Sequence, residues 1–188
     1  PYTSSAASDV YKRQCLNYDH STRYILPIPP SPNLPNMRSI YLYPSLCFFE
    51  GTNVSIGRGT DFPFQVFGAP YFNKTQFSFT PQATYGAKNP KHKQKTCYGL
   101  DLRILPIDSL QNINKLNLKW LVNSYKLSKE SEVFFNKNNF FNLLAGSDKL
   151  MNLVKGGANA SHIYDTYQKD LRDYKIIRKR YLIYKDFD

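Results

Sequence analysis

The spacing of apolar and polar positions changes once along the chain, near residue 107. Before that point, short apolar runs alternate with clusters of Gly and Pro, a pattern typical of strands and loops. Residues 24–36 read YILPIPPSPNLPN, and their five prolines exclude a helix and favour a rigid, extended connector between two structural units. Asn36 is the predicted N-cap of a short helix over MRSIYLY, which Pro44 should end.

Two segments in the middle of the chain predict a small antiparallel sheet. The first, TQFSF at 75–79, alternates weakly, and the second, TCYGLDLRILPI at 96–107, is longer. Period-two spacing places Leu100, Leu102 and Ile104 on one face of the second strand. We expect the two strands to pair across residues 80–95.

From Asp108 onward, apolar residues recur at helical spacing. Capping residues and terminating glycines divide this region into four predicted helices. They begin at Asp108 or Ser109, Ser131, Ser147 and Ser161, and the second stops at Gly146. The order of extended segment, short helices, small sheet and four helices predicts an α+β fold with its helices collected at the C-terminal end.

Composition supports a packed core and an anionic partner. Hydrophobic residues make up 41% of the chain and charged residues 21%, values typical of a folded domain. The 15 tyrosines suit sugar rings, which present both apolar faces and hydroxyl edges, although most aromatic side chains pack in cores. The net charge of +11 favours polyanions. The charge is spread along the chain, and only 88–95 (KNPKHKQK) and 175–180 (KIIRKR) form local runs, which are usually solvated faces.

Several other chemistries have no support in the sequence. Three cysteines give no closed disulfide framework, and the three histidines lack metal-ligand spacing, so we expect neither a metal site nor a cofactor. No apolar segment approaches the roughly 20 residues of a membrane span. The residues concerned are Cys15, Cys47, Cys97, His20, His92 and His162.

The strongest candidate site is the stretch 49–70, FEGTNVSIGRGTDFPFQVFGAP. Its glycines permit unusual backbone angles and close approach to a ligand. It combines carboxylate, amide, hydroxyl and guanidinium groups, which are the groups needed to hold a sugar bearing a carboxylate and an amide. It is not a phosphate loop, because the GxxxxGK[ST] spacing is missing.

Each polar side chain of this stretch has a candidate role. Arg58 could grip a carboxylate with two parallel hydrogen bonds, and Asn53 could pair with an amide or hydroxyl. Glu50 could accept bonds from sugar hydroxyls or act as an acid or base. The alternative is that Glu50 and Arg58 pair only with each other and hold the loop. Glycoside cleavage generally uses two carboxyl groups, so we expect the partner of Glu50 to lie elsewhere.

These motifs carry a family resemblance. PPSPNLP at 29–35 and YPSLCFFEGTNVSIGRGTDFPFQVFGAPYF at 43–72 closely resemble the signature of the NamZ-type exo-β-N-acetylmuramidases, formerly a domain of unknown function. The resemblance resumes at CYGLDL (97–102), LAGSDKL (144–150) and the tail from residue 167, so it covers nearly everything from about Tyr24 onward.

The resemblance implies a bacterial glycoside hydrolase that releases N-acetylmuramic acid from the non-reducing ends of peptidoglycan fragments, outside the cytoplasm. Family members have a Rossmann-like N-terminal domain and a C-terminal domain, with the active site in the cleft between them. The principal catalytic glutamate is expected on the N-terminal domain, most of which this chain is expected to lack. This chain would therefore supply one wall of the cleft and be inactive alone. The substrate-binding residues carried over by the motifs are Asn33, Glu50, Thr52, Asn53 and Arg58.

The sequence also suggests how the chain is organised. Residues 1–14 resemble translated adapter sequence and are expected to be a non-native tail, with a true N-terminal tail as the alternative. Residues 15–35 would be the end of the N-terminal domain and the Pro-rich connector, and residues 36–188 the C-terminal α+β domain. We expect peptidoglycan-derived saccharides as partners, and no nucleic acid.

Two other functions stay open on the sequence: a non-catalytic basic domain that binds anionic polymer, either cell wall or nucleic acid, and a sugar-binding module without catalysis. The glycosidase hypothesis requires Glu50, Asn53 and Arg58 to converge on an open surface beside the connector. The polymer-binding hypothesis requires the two basic runs to merge into one face.

Overall fold

The chain forms two compact units. The computed structural model describes residues 17–19, 21–73, 76–128, 134–182, 184 and 186, so the predicted tail at 1–14 lies outside the described residues. The main unit is Leu26–Ile163. The terminal unit contains the described residues up to Ile25 and those from Tyr164 onward. The predicted domain boundary at residue 36 stays a prediction.

The connector leads into helix α1, Met37–Leu46. Asn36 caps it as predicted, because its side-chain oxygen accepts a hydrogen bond from the Ser39 N–H at 3.0 Å. The Ser39 hydroxyl in turn accepts from the Asn36 N–H at 3.4 Å, which completes a capping box.

The prediction that Pro44 ends α1 is wrong, since the helix continues to Leu46. A proline inside a helix removes one backbone hydrogen bond and costs about 3 kcal/mol. Here Leu42 and Leu46 are both buried in the core, and their packing outweighs that cost. A 3₁₀ helix, Cys47–Gly51, follows directly.

Three strands form the sheet: β1, Val66–Ala69; β2, Phe77–Phe79; and β3, Cys97–Asp101. The order is β1-β3-β2 and both pairs are antiparallel, which confirms the predicted pairing of β2 with β3.

The central strand β3 is shorter than predicted, and the prediction that Leu100, Leu102 and Ile104 share one face is wrong. Leu102 is buried, whereas Leu100 is 49% exposed and Ile104 79% exposed, and Cys97 packs in the core against residues of β1 and β2. The strand ends because the Asp101 carboxylate bonds both the backbone N–H of Arg103, at 2.9 Å, and its guanidinium. That local turn stops the alternation on which the prediction relied.

The helices after the sheet are more numerous than predicted. They are α2, Ile107–Gln111; α3, Lys119–Leu127; α4, Phe140–Ala145; α5, Lys149–Lys155; and α6, Ala160–Arg178. The first predicted helix is two helices, because residues between α2 and α3 bond elsewhere, as the Asn117 N–H does to the Ser45 hydroxyl at 2.9 Å. Of the second predicted helix, residues 131–133 lie outside the described part, and Asn139 adopts φ 59° before α4 begins.

Gly146, with φ 75°, ends α4 as predicted. The α+β fold class is therefore confirmed, with most described helices after the sheet. No helix in the described ranges is long and apolar enough to cross a membrane.

Aromatic rings build the core beneath the 3₁₀ helix. Phe49 is fully buried and stacks on Phe67 at 5.0 Å, and Phe67 contacts Trp120 at 6.2 Å. The end of the 3₁₀ helix lies directly against α4, because a Cβ on Gly51 would be 2.5 Å from the Phe141 Cα. Only glycine allows these two backbones to approach so closely.

Gly51→Ala should therefore destabilise the protein by about 2–3 kcal/mol, because neither backbone can yield without disturbing the aromatic core. Denaturant unfolding of the 188-residue chain measures the change. The matched control is Gly156→Ala at the end of α5, where φ is −73° and the nearest atom lies at 3.2 Å. Equal losses in the two variants would contradict the assigned contact.

Candidate functional site

The glycine loop, defined here as residues 51–60, is held by backbone hydrogen bonds on two sides. On one side it pairs with residues 134–136, with the Asn53 N–H donating to the Phe134 carbonyl at 2.7 Å. On the other side Ser55 and Gly68 of β1 exchange bonds of 2.8 and 2.9 Å. The loop is thus a fixed part of the main unit, which can hold side chains in a defined geometry.

Two glycines of this loop allow close approach, Gly57 to Phe62 and Val66, and Gly59 to a second segment, residues 82–90. Gly57 and Gly59 have φ of 75° and 84°, the left-handed conformation that glycine adopts without steric cost. A Cβ on Gly59 would lie 2.4 Å from the Gln82 carbonyl oxygen and 2.6 Å from the Pro90 ring. Glycine is therefore required at position 59 because residues 82–90 approach the loop so closely.

An open cavity of about 340 Å³ lies between the two segments. One wall is the glycine loop with Glu50 before it, and the other is residues 86–91. The charged groups of this lining are one carboxylate, of Glu50, and the cations of Arg58, Lys88 and Lys91. The excess of cations favours an anionic ligand.

Glu50 and Arg58 lie on the same wall of the cavity and pair with each other. The Arg58 Nη1 lies 3.6 Å from the Glu50 Oε2, and the two side chains are 41% and 24% exposed. The pair is compatible with both interpretations that the sequence left open, because the two residues bind each other and also line the cavity. An ion pair this open is worth at most about 1 kcal/mol, so a ligand carboxylate could compete for the guanidinium.

Lys91 binds main-chain carbonyls beside the cavity. Its ammonium donates to the carbonyls of Phe49 at 2.9 Å, Glu50 at 3.0 Å and Thr52. These carbonyls lie at the C-terminal end of the 3₁₀ helix, which is the negative end. The Phe49 carbonyl also accepts from the Thr52 N–H and hydroxyl, and the Glu50 carbonyl from the Asn136 amide. We call the interaction of the ammonium with the three carbonyls the Lys91 clamp.

Burial lowers the pKa of Lys91 to about 8, while the nearby Glu50 carboxylate acts to raise it and Arg58 to lower it further. At pH 7 Lys91 is therefore mostly protonated, the state with three donors for three carbonyls. The Lys91 clamp can therefore form at pH 7.

Two more side chains bind the main-chain carbonyl of Asn53 in the glycine loop. The Tyr71 hydroxyl and the His92 Nε2 both donate to this oxygen, at 3.1 and 2.8 Å. Burial lowers the pKa of His92, an effect that the bond to Asn53 opposes, so His92 is neutral at pH 7 and donates from Nε2. Asn53 is fixed here through its main chain, and it is not among the residues that line the cavity.

The five residues expected to bind substrate thus divide into two groups. Glu50 and Arg58 line the cavity together. The Thr52 side chain is fully buried, where its hydroxyl donates to the Phe49 carbonyl at 2.9 Å, so it shapes the loop. Asn33 of the connector donates its amide to the Gly86 carbonyl at 2.8 Å and thereby supports the opposite wall.

Lys88, Lys91, Tyr71 and His92 are the residues of this site that the sequence did not single out. The available signal was Pro90 within the run KNPKHKQK, because a proline is an apolar, conformationally fixed interruption of a charged run, and in the structure Pro90 is buried. Lys91 is committed to carbonyls, so the first basic run is not simply a solvated surface. The second run lies in the terminal unit. In the described parts of the chain, no group of three or more His, Cys, Asp or Glu is placed to hold a metal.

The comparisons with known proteins agree on one family. The family model described as the C-terminal part of exo-β-N-acetylmuramidase NamZ matches residues 41–184. The peptidoglycan β-N-acetylmuramidase NamZ of Bacillus subtilis (strain 168) is 32% identical over 166 residues, which are 82% of this chain and 40% of that protein.

Two crystal structures of DUF1343 family proteins from Bacteroides fragilis are also similar. One is 46% identical with a TM-score of 0.84 and covers 91% of this chain and 48% of that protein. The other is 22% identical with a TM-score of 0.60 over 84% of this chain and 45% of that protein, and it shows the fold alone. The chain spans less than half the length of each of these relatives.

Lys91→Met should remove the clamp while keeping most of the apolar stem. We expect a loss of about 2 kcal/mol in the free energy of unfolding, because the Thr52 carbonyl loses its partner. Thermal or denaturant unfolding tests this, with Lys93→Met as the control, since Lys93 is exposed in the same run. If the two variants unfold alike, the clamp does not stabilise the loop.

Proposed function

Since the chain belongs to the NamZ exo-β-N-acetylmuramidase family, whose C-terminal model it matches over residues 41–184, we propose that it forms one wall of the substrate cleft of a peptidoglycan glycosidase. The B. subtilis relative is named a peptidoglycan β-N-acetylmuramidase, which is the activity proposed for the whole protein. The reaction would release N-acetylmuramic acid from non-reducing ends, in an extracytoplasmic compartment of a bacterium.

The observation that carries this proposal is the cavity with its excess of cations. N-acetylmuramic acid bears a lactyl carboxylate, which distinguishes it from neutral sugars. Arg58 is exposed enough to reach a ligand and presents a planar fork that matches a carboxylate. Lys88 and Lys91 add positive potential around it.

Glu50 would take a second role once a ligand carboxylate engages Arg58. Its own carboxylate would then be available to sugar hydroxyls. Glycosidases place two carboxyl groups roughly 5–10 Å apart, and Glu50 is the only acid that lines this cavity in the described part of the chain. We therefore expect the principal catalytic carboxylate on the N-terminal domain of the family, with Glu50 orienting the sugar.

Arg58→Ala at the equivalent position of a full-length homologue should raise KM for a muramic acid glycoside about tenfold or more, since a charge-assisted hydrogen bond contributes about 1.5–3 kcal/mol. The value of kcat should change little, because the lost contact holds the substrate rather than the reacting bond. The control is the equivalent of Arg172→Ala, which removes the same charge from an exposed position on α6. An unchanged KM in the Arg58 variant rejects the role.

Activity should require the N-terminal domain. We expect the 188-residue chain to release no N-acetylmuramic acid from peptidoglycan fragments, and a protein that also contains the family's N-terminal domain to do so. The assay separates a hydrolase from a sugar-binding module, because the module would bind without cleaving in either form. Hydrolysis by the 188-residue chain itself would contradict the two-domain cleft.

A further inference from the structure

Tyr85 is the most exposed large hydrophobic side chain in the described part of the chain, at 93%. A ring that buries so little of its surface contributes almost nothing to folding. Aromatic rings otherwise carry much of the packing in this protein, as Phe49 and Phe67 do. The exposed ring of Tyr85 is therefore available to a ligand.

The ring is carried on a rigid turn. Thr84 and Ala87 exchange two backbone hydrogen bonds of 3.0 and 3.1 Å, which leaves Tyr85 and Gly86 as the two residues at its tip. The connector holds this tip, because the Asn33 amide donates to the Gly86 carbonyl. A Cβ on Gly86 would lie 3.0 Å from the Pro32 Cβ, so the contact is close. Fixing the backbone that carries the exposed ring lowers part of the entropic cost of using the ring in binding.

The turn lies at the rim of the cavity. The residues that follow Tyr85, from Gly86 to Lys91, form one cavity wall. At about 340 Å³, the cavity is near the lower end of the roughly 300–1,000 Å³ range of small-molecule sites, which is room for one substituted sugar ring. The rest of an oligosaccharide must then leave the cavity past its rim.

We propose that Tyr85 is a specificity-determining residue that stacks on the pyranose ring next to the anionic sugar. The apolar C–H face of that ring would cover the tyrosine ring, and its hydroxyl edges would stay in water. The proposal rests on the proposed function, because it takes the anionic sugar to be the occupant of the cavity. It adds a second point of recognition, which would favour oligosaccharides over a single sugar.

Isothermal titration calorimetry of the 188-residue chain tests this with two probes. They are N-acetylmuramic acid and a disaccharide in which that sugar is linked to a second N-acetylated hexosamine. Tyr85→Ala should weaken disaccharide binding about tenfold, the equivalent of burying about 50–60 Å² of apolar surface, and leave the single sugar unaffected. Tyr85→Phe should bind both probes like the wild type, because the ring is kept.

Other variants distinguish the two proposals. Arg58→Ala should weaken both probes equally, and Tyr85→Ala should leave the melting temperature unchanged because the ring is exposed. If Arg58→Ala weakens both probes while Tyr85→Ala weakens neither, stacking is overturned and the proposed function stands. If the wild-type chain binds neither probe, both proposals are overturned. If Tyr85→Phe loses as much as Tyr85→Ala, the ring is not the recognition element and the stacking proposal fails.

Discussion

The site depends on one partly buried cation. The ammonium of Lys91 donates to three carbonyls at the C-terminal end of the 3₁₀ helix, where it compensates the negative helix end. It joins two segments that are about forty residues apart in sequence, the glycine loop and the run 88–95. The cavity lies between those segments, so this contact helps to set its shape and supplies one of its three cations.

The same arrangement explains why the cavity favours anions. The carbonyls compensate Lys91 through dipoles rather than through a full negative charge, and Glu50 is paired with Arg58. The lining therefore keeps an excess of positive charge in a partly buried place, where it is screened less than on the surface. Glycines contribute indirectly, because Gly51, Gly57 and Gly59 allow backbones to approach within distances that a Cβ would block. The few residues around the cavity therefore determine its packing, its hydrogen bonds and its charge.

The sequence predicted features that depend on local chemistry and missed those that depend on tertiary packing. Asn36 was recognised as a cap, Gly146 as a helix end, and β2 with β3 as a pair, because each follows from nearby residues. The continuation of α1 through Pro44 was missed, because burial of its neighbours decides it. Glu50 and Arg58 were found through their motif, whereas Lys91 was hidden in a charged run that looks solvated until its carbonyl partners are known. The comparisons supplied the family, which the residues alone could only suggest by resemblance.

The most direct test of this account is a crystal structure of the chain with N-acetylmuramic acid. The account predicts the sugar in the cavity between the glycine loop and residues 86–91, with its carboxylate about 2.7–2.9 Å from the Arg58 guanidinium. It also predicts the three Lys91 contacts unchanged. A sugar bound elsewhere on the chain, or one in the cavity with its carboxylate turned away from Arg58, would contradict it.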